Sequence, residues 1–150
     1  MRFRAGLTLV EIMAFIFVLG IISSAMIISP EMARQSAENE AQRVRAYIYR
    51  QIDRADRMHC NFGLDTGIMN NEHVIAIDWP GMANDDSSFK ASYGCRYSDN
   101  FSGTNGGTYN AMHKQFNEGG TITITDSEGR SYYVIIAATE GRIRISDTHP

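Results

Sequence analysis

A long apolar run without any charge dominates the N-terminal part of the chain. Residues 12–29 carry no charged side chain, and as a helix they would extend about 27 Å, close to the thickness of a bilayer core. Two arginines, Arg2 and Arg4, precede the run and favour retention of the N-terminus in the cytoplasm. The pattern therefore predicts one transmembrane helix, with the rest of the chain outside the cytoplasm.

Glu11 stands at the start of the apolar run and discriminates between three interpretations of this segment. A secretory signal cleaved near residues 23–25 requires an apolar region free of charge. A simple membrane anchor gives the carboxylate no role, although a lone charge beside a membrane span is costly to bury and usually has a partner or a function. The third interpretation is a short basic leader that is removed from the helix carrying Glu11.

A second helical pattern follows the apolar run. Beyond Pro30, apolar residues recur at spacings of three and four, which is the period of a helix with one buried stripe. We predict an amphipathic helix over residues 31–58 with this stripe: Ala33, Ala37, Ala41, Val44, Ile48, Ile52 and Ala55. The opposite face of the helix is charged, so we predict that it faces solvent or, alternatively, forms ion pairs with other subunits. Its charged residues are Arg34, Glu38, Glu40, Arg43, Arg45, Arg50, Asp53, Arg54, Asp56 and Arg57.

Strands are predicted beyond Cys60, where the helical spacing is lost. Residues 73–78 form a short apolar run, and a second, weaker strand candidate spans residues 91–95. Residues 99–118 are typical of a long surface loop. The final third predicts a three-stranded antiparallel meander, formed by Thr121–Thr125, Tyr132–Ala137 and Arg142–Ser146.

The predicted fold class is α+β, with a long N-terminal helix packed on a small antiparallel sheet. The first half of this helix is the transmembrane segment and the second half is the amphipathic segment. The predicted core joins apolar residues of the helix and of the meander: Val44, Ile48, Ile52, Ile122, Ile124, Val134, Ile136, Ile143 and Ile145.

One hexapeptide resembles the processing motif of type IV pilins and type II secretion pseudopilins: Gly6-Leu7-Thr8-Leu9-Val10-Glu11. The resemblance includes the short basic leader in front of it and the apolar helix behind it. It implies that a prepilin peptidase removes residues 1–6 by cutting after Gly6 and methylates the new N-terminus at Leu7. No cofactor is expected for this role.

The same resemblance implies the organisation of the chain. Residues 7–30 would form the transmembrane helix of a filament core, in which Glu11 and Thr8 act in assembly. Residues 31–150 would form a periplasmic α+β head, pilin-like in fold, on a single-pass protein of the bacterial inner membrane. The implied partners are prepilin peptidase, other pilins or pseudopilins, the inner membrane and, for an alternative function, DNA.

That alternative comes from the C-terminal part of the chain. Residues 119–124 and the motif Gly141-Arg142-Ile143-Arg144 are similar to those of H-type minor pseudopilins and of DNA-uptake minor pilins. The resemblance implies either a structural subunit of a secretion pseudopilus or pilus, or a minor pilin that contacts DNA through this motif. Two arginines at i and i+2 on a strand point the same way and suit phosphates.

Charge and strand position limit the DNA interpretation. The net charge of −3 argues against a wholly basic nucleic-acid surface, so that any such site must be local. Arginines on an edge strand also have a structural explanation, because charges there prevent aggregation. Both interpretations of Arg142 and Arg144 therefore stay open.

The two cysteines, Cys60 and Cys95, suit one disulfide in a head outside the cytoplasm. The alternative is that both are buried free thiols. The spacing of the two cysteines in the sequence does not suit metal binding or redox chemistry.

Catalysis and metal binding find little support in the sequence. It lacks the common motifs of hydrolases, metalloproteases and nucleotide-binding proteins. The histidines are scattered and are predicted at surfaces or strand ends: His59, His73, His113 and His149. The acidic clusters Asp126-x-Glu128 and Asp85-Asp86 lack the ligand spacing of a calcium loop, which favours a hairpin turn and a surface loop.

Overall fold

The structure is a computed structural model that describes residues 9–26, 36–81, 87–101, 107–139 and 141–150. The chain divides into two compact units, Met1–Ala33 and Arg34–Pro150. In the first unit the structure describes helix α1 (Leu9–Met26), and in the second it describes helix α2 (Ala37–Met58) and nine strands. Pro30, which precedes the predicted amphipathic helix, lies outside the described residues.

Helix α1 is apolar on all sides rather than on one face. Its side chains at positions 10–19 are all exposed, among them Val10 and Phe17. Of the helices that the structure describes, none is long and apolar enough to cross a membrane. This finding contradicts the predicted single-pass location in the inner membrane with a periplasmic head.

Helix α2 has a defined cap at each end. The Ser36 side chain accepts a hydrogen bond from a first-turn amide (3.3 Å), so the helix begins at Ala37. It ends at Met58, where His59 takes a left-handed conformation (φ 52°) and donates its amide N–H to the Ala55 carbonyl. The predicted end at Met58 is confirmed.

The described strands form two antiparallel sheets. In chain order they are β1 (Phe62–Met69), β2 (Glu72–Asp78), β3 (Ser87–Lys90), β4 (Arg96–Asp99), β5 (Gly107–Asn110), β6 (Gln115–Phe116), β7 (Gly120–Thr125), β8 (Ser131–Ile136) and β9 (Ile143–Ser146). Sheet A has the order β3-β2-β1-β5-β6, and sheet B has the order β4-β7-β8-β9. The predicted strand over residues 73–78 and the predicted C-terminal meander are confirmed as β2 and β7-β8-β9.

Two predictions for the middle of the chain are wrong. Residues 91–95 are a connection between β3 and β4 rather than a strand, because Gly94 has a left-handed φ of 86° and the Cys95 amide bonds to the Ser92 carbonyl in a turn (2.9 Å). Residues 99–118 are not one long loop, since they contain β5 and β6. Tyr109 and Phe116 draw these two strands into the core, where both side chains are buried.

One apolar core joins α2 to both sheets. On the side of sheet B it contains the predicted stripe of α2, with Val44 and Ile48 fully buried and Ile52 partly buried. On the side of sheet A it is aromatic, with the rings of Phe62 and Tyr109 stacked at 5.3 Å between centroids. Each aromatic side chain buries a large apolar area. A few of them therefore give these strands a buried face, although apolar and polar residues do not alternate clearly along their sequences.

The predicted fold of a long N-terminal helix on a small antiparallel sheet is therefore wrong as stated. The described helices have 18 and 22 residues, and the strands form a five-stranded and a four-stranded sheet. The physical reason for the second sheet is the aromatic core, in which Phe62, Tyr109 and Phe116 give β1, β5 and β6 a buried face that their sequence spacing does not display.

Candidate functional site

Arg142 and Arg144 lie at the open edge of sheet B. Arg144 is opposite Ile135 in the β8–β9 pair, and the Arg142 carbonyl accepts a hydrogen bond from the Ala137 amide (2.9 Å). Residues directly opposite one another in an antiparallel pair share one face of the sheet. The two exposed arginines therefore project from the face that carries Ile135 and Ala137.

Tyr49 on helix α2 completes this site. Its hydroxyl oxygen accepts a hydrogen bond from the Ile143 amide (3.4 Å), and its side chain is 45% exposed. An open groove of about 610 Å³, here called the arginine groove, is lined by Tyr49, Ile135, Ala137, Arg142, Ile143 and Arg144. No sequence signal points to Tyr49, which is 94 positions from Ile143.

Gly141 directs the chain into β9. Its φ is +58°, in the left-handed region that side chains other than glycine rarely adopt. A Cβ added there would lie 3.1 Å from the Lys114 carbonyl oxygen. The backbone conformation and the close Lys114 carbonyl therefore explain the glycine of the Gly-Arg-x-Arg motif without any role in DNA binding.

A second polar site surrounds the fully buried carboxylate of Glu40. The carboxylate accepts hydrogen bonds from the Ser92 amide (3.0 Å), the Ser92 hydroxyl (2.8 Å) and the Arg43 guanidinium (2.7 Å). It also accepts one from the Tyr97 hydroxyl. Burial, followed by this hydrogen bond, raises the pKa of Tyr97 far above its usual value, so that the phenol remains a donor.

The prediction that Glu40 lies on a solvated face of α2 is wrong. The loop before β4 and the strand β4 cover this side of the first helical turn and supply the donors. The Glu40 network therefore ties α2 to β4. The spacing of residues along α2 cannot predict this network, because it does not show which other element packs on each side of the helix.

A second buried carboxylate, Asp126, lies between β7 and β8. It accepts hydrogen bonds from Arg130 Nε (2.9 Å), from the Glu128 amide (2.9 Å) and from the Ala37 amide at the start of α2 (3.4 Å). Burial by itself raises the pKa of Asp126, but these hydrogen bonds outweigh it and hold the pKa below its usual range. The carboxylate oxygens of Asp126 therefore stabilise the turn between β7 and β8 and the first residue of α2.

The remaining metal candidates are not brought together. In the part of the chain that the structure describes, no group of three or more His, Cys, Asp or Glu residues could hold a metal ion. His73 Nδ1 lies 3.1 Å from the Tyr97 carbonyl, and His149 stacks edge-on against Tyr133. His59 caps α2 and His113 is exposed. Asp85 and Asp86 lie outside the described residues.

Cys60 and Cys95 lie at opposite ends of α2. Cys60 follows its C-terminal end, where the thiol donates to the Met58 carbonyl (3.4 Å), whereas Cys95 is buried within range of the Glu40 charge. The helix from Glu40 to Met58 is about 27 Å long, whereas a disulfide needs Cα atoms within about 7 Å. The predicted disulfide is wrong, and both residues are thiols.

We expect a thiol reagent at pH 8 to modify Cys60 readily and Cys95 only after unfolding. Burial, followed by the charge of Glu40, raises the pKa of Cys95 to about 11. Only about one thiol in a thousand would then be ionised at pH 8. Intact mass should show one label on the native protein and two on the denatured protein, whereas an unlabelled denatured protein would demonstrate a bond.

The predicted processing and assembly residues belong to the N-terminal unit. Gly6, Leu7 and Thr8 lie outside the described residues. Glu11 lies in the first turn of α1, where the positive end of the helix dipole favours a carboxylate.

Comparisons with protein-family models, with curated proteins and with solved structures give no match. Two features of the chain itself then bear on function. One is the hexapeptide from Gly6 to Glu11, which overlaps the start of α1, and the other is the arginine groove.

Proposed function

We propose that this chain is a structural subunit of a type IV pilin-like filament, as a minor pilin or pseudopilin. The observation that carries the proposal is the hexapeptide from Gly6 to Glu11, whose last three residues belong to α1. Residues 10–19 of this helix are exposed, although a helix that is apolar all round is normally buried. The equivalent helices of neighbouring subunits are the partners that would bury it.

The proposed role is structural rather than catalytic. Its support is that the two buried carboxylates, Glu40 and Asp126, accept hydrogen bonds from donors that join parts of the fold. A catalytic carboxylate would instead face a cleft that admits a substrate.

The first test is proteolytic processing. Co-expression with a prepilin peptidase should convert the chain into a form that lacks residues 1–6 and begins at a methylated Leu7. Intact mass and N-terminal peptide analysis measure both changes, and Gly6→Val serves as the unprocessed control because its side chain occupies the cleavage position. A mature N-terminus at Met26 would indicate a secretory signal and contradict the proposal.

The second candidate function is nucleic-acid binding at the arginine groove. The observation that favours it is the shared face of Arg142 and Arg144, which lets both guanidinium groups reach one phosphate backbone. Among the described residues that line this groove, none is acidic. The candidate requires that the full chain binds DNA and that Arg142→Ala combined with Arg144→Ala removes the binding.

A further inference from the structure

The arginine groove contains more than positive charge. Ile135 and Ala137 are partly exposed on the face from which the arginines project. Tyr49 stands at the edge of the same groove with 45% of its side chain exposed. Contacts to phosphates alone need only exposed cations, so the aromatic ring and the apolar residues call for a ligand with an apolar face.

We propose that the arginine groove binds a single-stranded nucleic acid, with one unpaired base against Tyr49 and the neighbouring phosphates on Arg142 and Arg144. This inference rests on the nucleic-acid candidate above and specifies its ligand. An unpaired base offers a flat face to an aromatic side chain, and stacking of this kind tolerates any base. In a duplex the faces are stacked on neighbouring base pairs, and only the edges are accessible in the grooves.

The dimensions and the anchoring of the groove fit such a ligand. Its volume of about 610 Å³ lies within the range of small-ligand sites, about 300–1,000 Å³. Residues at i and i+2 on a strand are about 7 Å apart, so Arg142 and Arg144 can contact successive phosphates. The hydrogen bond from the Ile143 amide holds the Tyr49 hydroxyl at the edge of the sheet, which limits the freedom that the ring loses on stacking.

The test is a fluorescence-anisotropy titration of the full chain in a non-ionic detergent that keeps α1 from self-association. Three labelled probes of equal length are compared: an oligothymidine, a duplex, and an abasic oligonucleotide that has the phosphates but no bases. The wild-type chain should bind the oligothymidine at least about fivefold more tightly than the abasic probe. Two phosphate contacts on a single strand predict a log–log salt slope of about −1.4.

Single variants separate the ring from the charges. Tyr49→Ala should weaken oligothymidine binding about fivefold to a hundredfold and leave abasic binding unchanged. Tyr49→Phe keeps the ring but loses the hydroxyl that bonds to the Ile143 amide, so it should weaken binding less than Tyr49→Ala does. Tyr93→Ala is the matched control, because Tyr93 is another exposed tyrosine but lines a different cleft. Thermal unfolding of each variant checks that the fold is intact.

Two results would overturn the inference in distinguishable ways. Equal affinity for the oligothymidine and the abasic probe would show that charge alone is recognised. The duplex would then bind as well as the single strand, and the nucleic-acid candidate would survive without stacking. No binding of any nucleic-acid probe at 50 mM salt would instead overturn the candidate itself.

Discussion

Replacing Glu40 by alanine should lower the free energy of unfolding by about 2–5 kcal/mol. The change leaves the buried Tyr97 hydroxyl and the partly buried Ser92 amide without their acceptor. A fully buried unsatisfied donor costs about 1–3 kcal/mol, and a partly buried one costs less because water can reach it. Arg43 adds less, because its side chain is 47% exposed and water replaces the lost carboxylate. Urea unfolding followed by the fluorescence of Trp79, the one tryptophan of the chain, measures the change.

Two further variants show whether the effect comes from the network. Glu38→Ala removes an exposed carboxylate from the same helical turn and should cost no more than about 0.5 kcal/mol. Combining Glu40→Ala with Tyr97→Phe should be less than additive by at least about 0.5 kcal/mol, because the two residues share a hydrogen bond. A Glu40→Ala variant as stable as the Glu38 control would show that the network contributes nothing.

Replacing Glu11 by alanine should leave processing intact but lower incorporation into filaments at least about tenfold. In the proposed filament, the Glu11 carboxylate pairs with the N-terminal amine of a neighbouring subunit's Leu7. Its removal leaves that amine charged among apolar helices, and an unpaired buried charge costs about 3–5 kcal/mol. The measurement is the fraction of the processed chain recovered in sheared filaments.

Two controls accompany this measurement. Glu38→Ala changes a carboxylate outside α1 and should enter filaments at the wild-type level. Glu11→Asp keeps the charge on a shorter side chain and should give an intermediate level. Wild-type incorporation of the Glu11→Ala variant would contradict the assembly role, even if cleavage after Gly6 were confirmed.

The sequence by itself determined the parts of this protein that depend on local spacing. The stripe that contains Val44 and Ile48 predicts the buried face of α2, and the alternation of Thr121–Thr125 predicts β7. Both are found in the structure, because the helical and strand periods follow from backbone geometry alone. The hexapeptide ending at Glu11 is likewise a local pattern, and the proposed function depends on it.

Only the tertiary structure decided which distant element covers each side chain. In the sequence, Glu40 belongs to the charged face of α2 like its charged neighbours. It is nevertheless buried, because β4 and the loop before it pack on that turn of α2. Cys60 and Cys95 fit a disulfide by number and compartment, but the length of α2 separates them. Tyr49 meets Ile143 because α2 packs on sheet B. Sequence periodicity gives the orientation of a side chain on its own element, whereas burial and pairing depend on chain segments many tens of residues away.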